Sequence, residues 1–352
     1  MDIFSDILSR LPAKCLLRFR GVSQPWRALM SDRAFLTRAE PFLVAVSGDR
    51  STGGLQLQLM DMEGNVVPKD GLWNVFGEFQ EDFSSDGEFC TSFDNLVCLY
   101  RPSATCLVDL ATGEIGMFVD EPSDHPRSYI GFGVGRAAES GARKIIRDNY
   151  LTWEILTLGD NKWRPMQLPP FDVSYAYDYY NGTTINGVVY YLSLFEGKIL
   201  CFDLEREEWT MIHGGPQADG EPWRFSLAEL NGSLCLMERT RIFGLENQET
   251  TTVHLWLLQA DSTKGTWAKA YTLHLESLDS RHIVMPLRVI HPGGKLLFYK
   301  YCSWPYSRST PLFQVYDPLS GKCTRVEKAP TNVVGRIGLC SLSLDPRFRA
   351  KP

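Results

Sequence analysis

Two hydrophobic patterns divide this chain. Over the first forty residues the apolar positions recur at helical spacing, with Ile3, Phe4, Ile7, Leu8 and Leu11 on one face. Pro12 cannot continue that helix but suits the first turn of the next, which carries Leu16, Leu17 and Phe19 and ends at Gly21. Ser23 is placed to cap a third helix, with Pro25 in its first turn and Trp26, Leu29 and Met30 along it. Asp32 opens a short last helix bearing Phe35 and Leu36. Helices of about ten residues bury too little surface to stand alone, so the pattern predicts a small bundle that leans on a partner.

From Pro41 onward the period changes to that of strands. Short runs of Val, Leu, Tyr, Phe and Trp alternate with Gly, Asn, Asp and Pro turns. One module recurs, an apolar strand ending in a polar turn: Leu57–Asp61, Cys106–Gly113, Glu154–Leu158 with Trp163, Cys201–Leu204 with Trp209, Leu255–Leu258 with Trp267, and Val315–Pro318 with Gly321. Anchors at 61, 109, 157, 203, 257 and 317 give intervals of 48, 48, 46, 54 and 60 residues. That period marks propeller blades, since one four-stranded sheet cannot bury both faces without neighbours. The expectation is an all-β six-bladed propeller over 41–352, preceded by the helical segment 1–40.

A second mark is a tight turn feeding an apolar strand, at Asn95–Leu99, Asn186–Tyr190, Asn231–Cys235 and Gly293–Leu297. Asn-Gly and Gly-Gly supply the positive φ that hairpin turns need. Phe42–Val46 and Leu339–Leu344 are apolar runs near the two ends of the chain, expected to pair in one blade and close the ring.

Charge then narrows the function. The net charge is −6, yet residues 1–40 carry seven Lys/Arg against four Asp/Glu, leaving −9 on the remainder. An acidic body argues against nucleic-acid binding, which calls for a basic stripe. No apolar run approaches a membrane span and nothing at the start resembles a secretory leader, so neither is expected. Nine cysteines without a C-x-x-C pair point to reduced thiols and a cytoplasmic or nuclear setting.

Candidate chemistry is sparse. Gly131–Gly135 lacks the G-x-G-x-x-G spacing of a phosphate loop and is expected to be a blade-edge turn. Asn181-Gly182-Thr183 and Asn231-Gly232-Ser233 are expected to be Asn-Gly turns. The six histidines fall in no metal-ligand spacing, so neither metal nor cofactor is expected. Carboxylate pairs at Glu81-Asp82 and Glu207-Glu208 are expected on solvated turns. Aromatic stretches offer more. Tyr175, Tyr177 and Tyr179 share one face of an extended run, read as inter-blade packing. Trp223-Arg224 and Trp304, Tyr306 and Arg308 combine the residue types that protein interfaces favour.

The helical segment resembles the F-box, the module that docks a substrate receptor onto the Skp-type adaptor of a cullin ubiquitin ligase. The matching residues run Asp6–Pro12, Leu16–Arg20, Val22-Ser23 and Trp26–Leu29. The resemblance implies that Ile7, Leu8, Leu11, Pro12, Leu16, Leu17, Val22, Trp26 and Leu29 form the adaptor contact or its supporting core. The family's usual Leu-Pro-x-Glu opening has no counterpart in Met1–Ser5, and Gln24-Pro25 replace its small or basic residues before the Trp. The rest resembles the F-box-associated propeller of plant F-box proteins, through Gly131–Val134, Lys144–Arg147, Glu154 to Arg164, Asn186–Leu192 and Thr266–Lys269. Tyr190-Tyr191 stand where that family has a His-Trp pair.

Together the resemblances imply a non-catalytic substrate-receptor subunit of a Skp–cullin–F-box ligase. It would bind the adaptor through its head, reach the cullin–RING ligase through it, and hold a protein target on its propeller. The competing expectations are a propeller enzyme and a small-molecule-binding propeller without a ligase role. The enzyme would need convergent carboxylates or metal ligands, which no spacing announces.

Overall fold

A computed structural model describes residues 23–25, 42–48, 55–60, 89–93, 96–100, 104–109, 115–119, 131–148, 152–160, 162–170, 182–193, 198–213, 215–216, 224–243, 249–259, 265–276, 282–290, 294–302, 311–326 and 333–340. Of the head, Gln24 and Pro25 are helical, directly after Ser23. Apart from a 3-10 residue at Arg224, all other regular structure among the described residues is β. The chain forms two compact units, one of residues 1–122, 308–311 and 326–352, the other of residues 123–307 and 312–325.

Unit 1 holds β1 (Phe42–Gly48), β2 (Leu55–Met60), β3 (Phe89–Phe93), β4 (Leu96–Tyr100), β5 (Ala104–Asp109) and β6 (Ile115–Val119). Unit 2 holds four four-stranded meanders. They are β7 (Gly131–Arg136), β8 (Arg143–Asp148), β9 (Trp153–Thr157), β10 (Trp163–Pro165); β11 (Thr183–Ile185), β12 (Val188–Ser193), β13 (Lys198–Asp203), β14 (Glu208–Ile212); β15 (Phe225–Leu230), β16 (Ser233–Phe243), β17 (Glu249–Leu258), β18 (Trp267–Glu276); and β19 (His282–Ile290), β20 (Lys295–Cys302), β21 (Leu312–Asp317), β22 (Lys322–Arg325). The chain returns to unit 1 with β23 (Val333–Cys340), giving sheets β2-β1-β23 and β3-β4-β5-β6.

Unit 2 has propeller construction. The first strands β7, β11, β15 and β19 neighbour one another in succession. Middle strands are buried on both faces, as in β8 and β13, whereas the outermost β10, β14 and β22 contain no buried residue. Strands squeezed between two neighbouring sheets read as continuous apolar runs, which is what Lys198–Asp203 shows.

The recurring modules and the tight turns each occupy one place in the blade. Within the four-stranded sheets the modules are third strands β5, β9, β13, β17 and β21, and the tight turns lead into second strands β4, β12, β16 and β20. Asn186-Gly187 and Asn231-Gly232 have positive φ at both positions, the type I′ geometry. Asp203 and Asp317 end their third strands with the same turn. Asp203 Oδ1 accepts from the N–H of Glu205 at 2.8 Å, and Asp317 Oδ1 from that of Leu319 at 2.9 Å.

Three expectations are corrected. Gly131–Gly135 is not a turn but strand β7, and its glycines serve close approach. A Cβ at Gly133 would overlap the Tyr191 hydroxyl and lie 2.8 Å from Val189 Cγ1, and one at Gly135 would overlap Leu204 and Thr184. Gly182 is likewise no positive-φ turn residue; it lies against the Tyr191 ring and donates its N–H to Phe132 O at 2.6 Å. The strand pairing with β1 starts earlier than Leu339. β23 begins at Val333, with Phe42↔Cys340, Leu43↔Leu339 and Val46↔Val334, and residues 341–344 lie outside the described set. Gly335 and Gly338 weaken the strand pattern there, and tertiary pairing overrides that local preference.

Candidate functional site

The nine residues expected at the adaptor contact, Ile7, Leu8, Leu11, Pro12, Leu16, Leu17, Val22, Trp26 and Leu29, lie outside the described residues, as do Trp223, Trp304, Tyr306, Arg308, Glu81-Asp82 and the Tyr175–Tyr179 face. Arg224 is described; it is exposed and immediately precedes β15. What the structure fixes is which strand ends these segments join. In each meander of unit 2 the first-to-second and third-to-fourth turns lie at one end, here termed the hairpin end. Second-to-third turns and blade-to-blade connections lie at the other, the crossover end. Residues 213–224 join β14 to β15, and residues 303–311 join β20 to β21, so both leave from crossover ends.

At the opposite, hairpin end, the β7–β10 and β11–β14 blades are held together by side-chain contacts. The buried Lys144 crosses from β8 to donate to Leu204 O and, at 2.8 Å, to Glu207 Oε1, where Arg164 also bonds. Glu207 is thus no freely solvated turn residue. Burial alone would raise its carboxyl, but the hydrogen bonds and charges of Arg164 and Lys144 together hold it below the usual range. It also adopts φ 59°, where the matching turn at the end of β21 has Gly321 at φ 68°. Glu208 is exposed, as expected of it. Beside it, Glu205 Oε2 accepts from the backbone N–H groups of Glu139 and Ser140 at 3.0 and 2.9 Å and from the Ser140 hydroxyl at 3.0 Å. These bonds, the Ser140 N–H foremost, hold the Glu205 carboxyl low.

Behind this latch lies an apolar cluster that includes Ile146, Trp153, Ile155, Val189, Tyr191, Leu200 and Phe202, with Trp209 packed on it. Trp153 meets Tyr191 and Trp209 edge-on at 5.4 and 5.2 Å between centroids. Arg147 is 2% exposed, donating to Glu154 Oε2 at 2.7 Å with its guanidinium 3.8 Å from the Trp163 ring. The Tyr191 hydroxyl is buried without a hydrogen-bond partner, and burial pushes its pKa up.

The β15–β18 blade is taller than the β11–β14 blade, with strands of 10 and 11 residues after β15. Its lower part packs Leu236 and Trp256 on a cluster with Ile199 and Cys201. Above this run two reciprocal rows, His254 Nδ1 with Thr272 Oγ1 at 3.0 Å and Thr252 Oγ1 with His274 Nδ1 at 3.2 Å. Trp256 donates to Glu238 at 3.0 Å and carries Lys269 over its ring at 4.6 Å. The repeated Thr-x-His at 252–254 and 272–274 was the available sequence signal for these rows. Among the described residues no three of His, Cys, Asp and Glu come together as a metal site would require.

The family profile described as the F-box associated beta propeller domain matches residues 74–333, most of the chain. The chain belongs to the F-box-associated β-propeller family. An F-box domain profile matches residues 1–38, ahead of it. An F-box/kelch-repeat protein of Arabidopsis thaliana is 24% identical over 290 residues, covering 78% of this chain and 66% of that protein. An F-box protein of the same plant is 27% identical over 346 residues, covering 87% and 79%. This is therefore a plant-type F-box protein with an F-box-associated propeller. Among solved structures, TolB from Acinetobacter baumannii aligns over 85% of this chain and 66% of that one, with 11% identity and a TM-score of 0.47. In this F-box-associated propeller the marks noted in the sequence have a shared physical role. Gly133, Lys144, Trp163, Gly187 and Tyr191 all serve blade packing or the contact between two blades.

Proposed function

We propose that this chain is a substrate-receptor subunit of a Skp–cullin–F-box ubiquitin ligase, working without catalysis of its own. The observation that carries the reading is the order of the two family matches, an F-box over residues 1–38 and its associated propeller over 74–333. In the proposal residues 1–40 bind the adaptor through Ile7, Leu8, Leu11, Pro12, Leu16, Leu17, Val22, Trp26 and Leu29. Residues 41–352 are the target-binding body, and the six sheets are successive blades of one six-bladed ring. The protein acts in the cytoplasm or nucleus, where its thiols would stay reduced.

β1 begins, and β23 finishes, at one end of their sheet, so the head is tethered to that end. Trp223, Arg224, Trp304, Tyr306 and Arg308 belong to connections at crossover ends, which is the proposed target side. The receptor then holds a target lysine near the conjugating enzyme, turning a bimolecular encounter into a near-intramolecular one. The test is reconstitution. Mixed with a Skp-type adaptor, a cullin and its RING subunit, the chain should co-elute as one assembly; elution of the chain apart from the adaptor overturns the proposal.

A further inference from the structure

The outermost strands of the unit 2 blades, β10, β14, β18 and β22, are not alike. β10, β14 and β22 are 3, 5 and 4 residues long. Each is also guarded, by Pro165, by exposed Glu208, and by exposed Lys322 and Arg325. β18 runs for 10 residues without proline, and among the described residues no strand pairs with its outer edge. Lys269 does not guard that edge, because its ammonium is turned onto the Trp256 ring at 4.6 Å. Ala268, Ala270 and His274 along it are exposed. A bulge at Ala270 divides β18, since Leu255 faces Tyr271 and Trp256 faces Lys269. Above the bulge, residues 271–276 pair one for one with 250–255.

We infer that this upper edge of β18 pairs with the same edge of a second copy of the chain, forming an antiparallel dimer about a two-fold axis. The inner edge shows what the outer edge accepts. β17 reads Thr-Val-His-Leu over 252–255, and β18 reads Thr-Leu-His-Leu over 272–275. Inside the blade each Thr stands opposite a His: Thr252 with His274 at 3.2 Å and His254 with Thr272 at 3.0 Å, on either side of the Val253–Leu273 pair. A two-fold axis through Leu273, perpendicular to the sheet, leaves each residue on its own face and repeats that register between copies. Thr272 then stands opposite His274 of the second copy, and Leu273 opposite Leu273. Tyr271 stands opposite Leu275, as it stands opposite Leu255 within the blade. The outer edge thus meets the Thr-apolar-His-Leu pattern that the inner edge already pairs with. Backbone hydrogen bonds hold such an added strand, and the matched cross-strand pairs set its register. An arbitrary strand would bring the hydrogen bonds without the matched pairs. The inference goes beyond the receptor reading and does not depend on it.

The test is the particle mass of the full chain in solution, without adaptor, by sedimentation equilibrium. As the protein is raised from about 1 to 100 μM, the average particle should grow from one chain toward two. Thr272→Glu with His274→Glu sets like charges opposite each other twice across the axis and should weaken the dimer by about tenfold or more. Thr272→Lys with His274→Glu sets opposite charges together in the same register and should restore it. Both double variants remove the Thr–His rows inside the blade, so a folding defect, read as the thermal melt of the same samples, moves both alike. A native chain that stays single at every concentration overturns the inference and leaves the edge to a strand of another polypeptide. An undiminished dimer in the like-charged variant, or no recovery in the opposite-charged variant at an equal melt, overturns it as well.

Discussion

At single positions the fold turns on small groups that composition does not reveal. Gly133 is legible in the sequence as one of three alternating glycines, but its purpose is not, because the obstructing atoms come from Tyr191 and Val189 on another blade. Gly133→Ala should cost about 1–3 kcal/mol by overpacking, read as a lower midpoint in denaturant with an unchanged slope. Tyr191→Phe should act in the opposite sense. The hydroxyl is buried and unpartnered, so removing it should stabilise by about 1 kcal/mol. A destabilised Tyr191→Phe variant would show that the hydroxyl has found a partner. Glu207 is a further case: a sequence shows two adjacent glutamates in a turn, but not that one of them must reach Lys144 across 63 residues.

At the level of strands and turns the sequence was most informative. Short apolar runs ending in a polar turn located the third strands, and Asn186-Gly187 and Asn231-Gly232 announced their turns, because both signals depend on neighbours only a few residues apart. The register of β23 was less legible, since β1 selects it from a glycine-containing run nearly three hundred residues away in the chain. Removing residues 336–352 takes most of β23 from β1 and exposes a strand edge, so unit 1 should melt at lower temperature; an undiminished melt would contradict the pairing. The latch between blades has its own signature. Lys144→Met should destabilise by about 2 kcal/mol, less than the about 3–5 of a fully buried pair, because Arg164 and water remain at Glu207. Because the folded carboxyl of Glu207 is depressed, its contribution is fully present above the unfolded value of about 4.3 and is lost as the pH falls through its folded value. The stability gap between the native chain and Glu207→Gln should therefore be largest near neutrality and close in acid, as pH-dependent denaturation would show.

For the whole molecule, the family was legible from two local patterns in the right order, and the profile matches at 1–38 and 74–333 agree with that reading. A target site was not legible, because which connections share one end of a sheet depends on strand direction and not on nearness in the sequence. The central claim is that the head docks the adaptor while the body folds and binds independently. Its most direct measurement is adaptor affinity, with the thermal melt of the same samples, for the full chain and for a chain lacking residues 1–40. The full chain should bind the adaptor and the truncated chain should not, while its β-sheet melt persists. Undiminished adaptor binding by the truncated chain, or no binding by the full chain, would contradict the account.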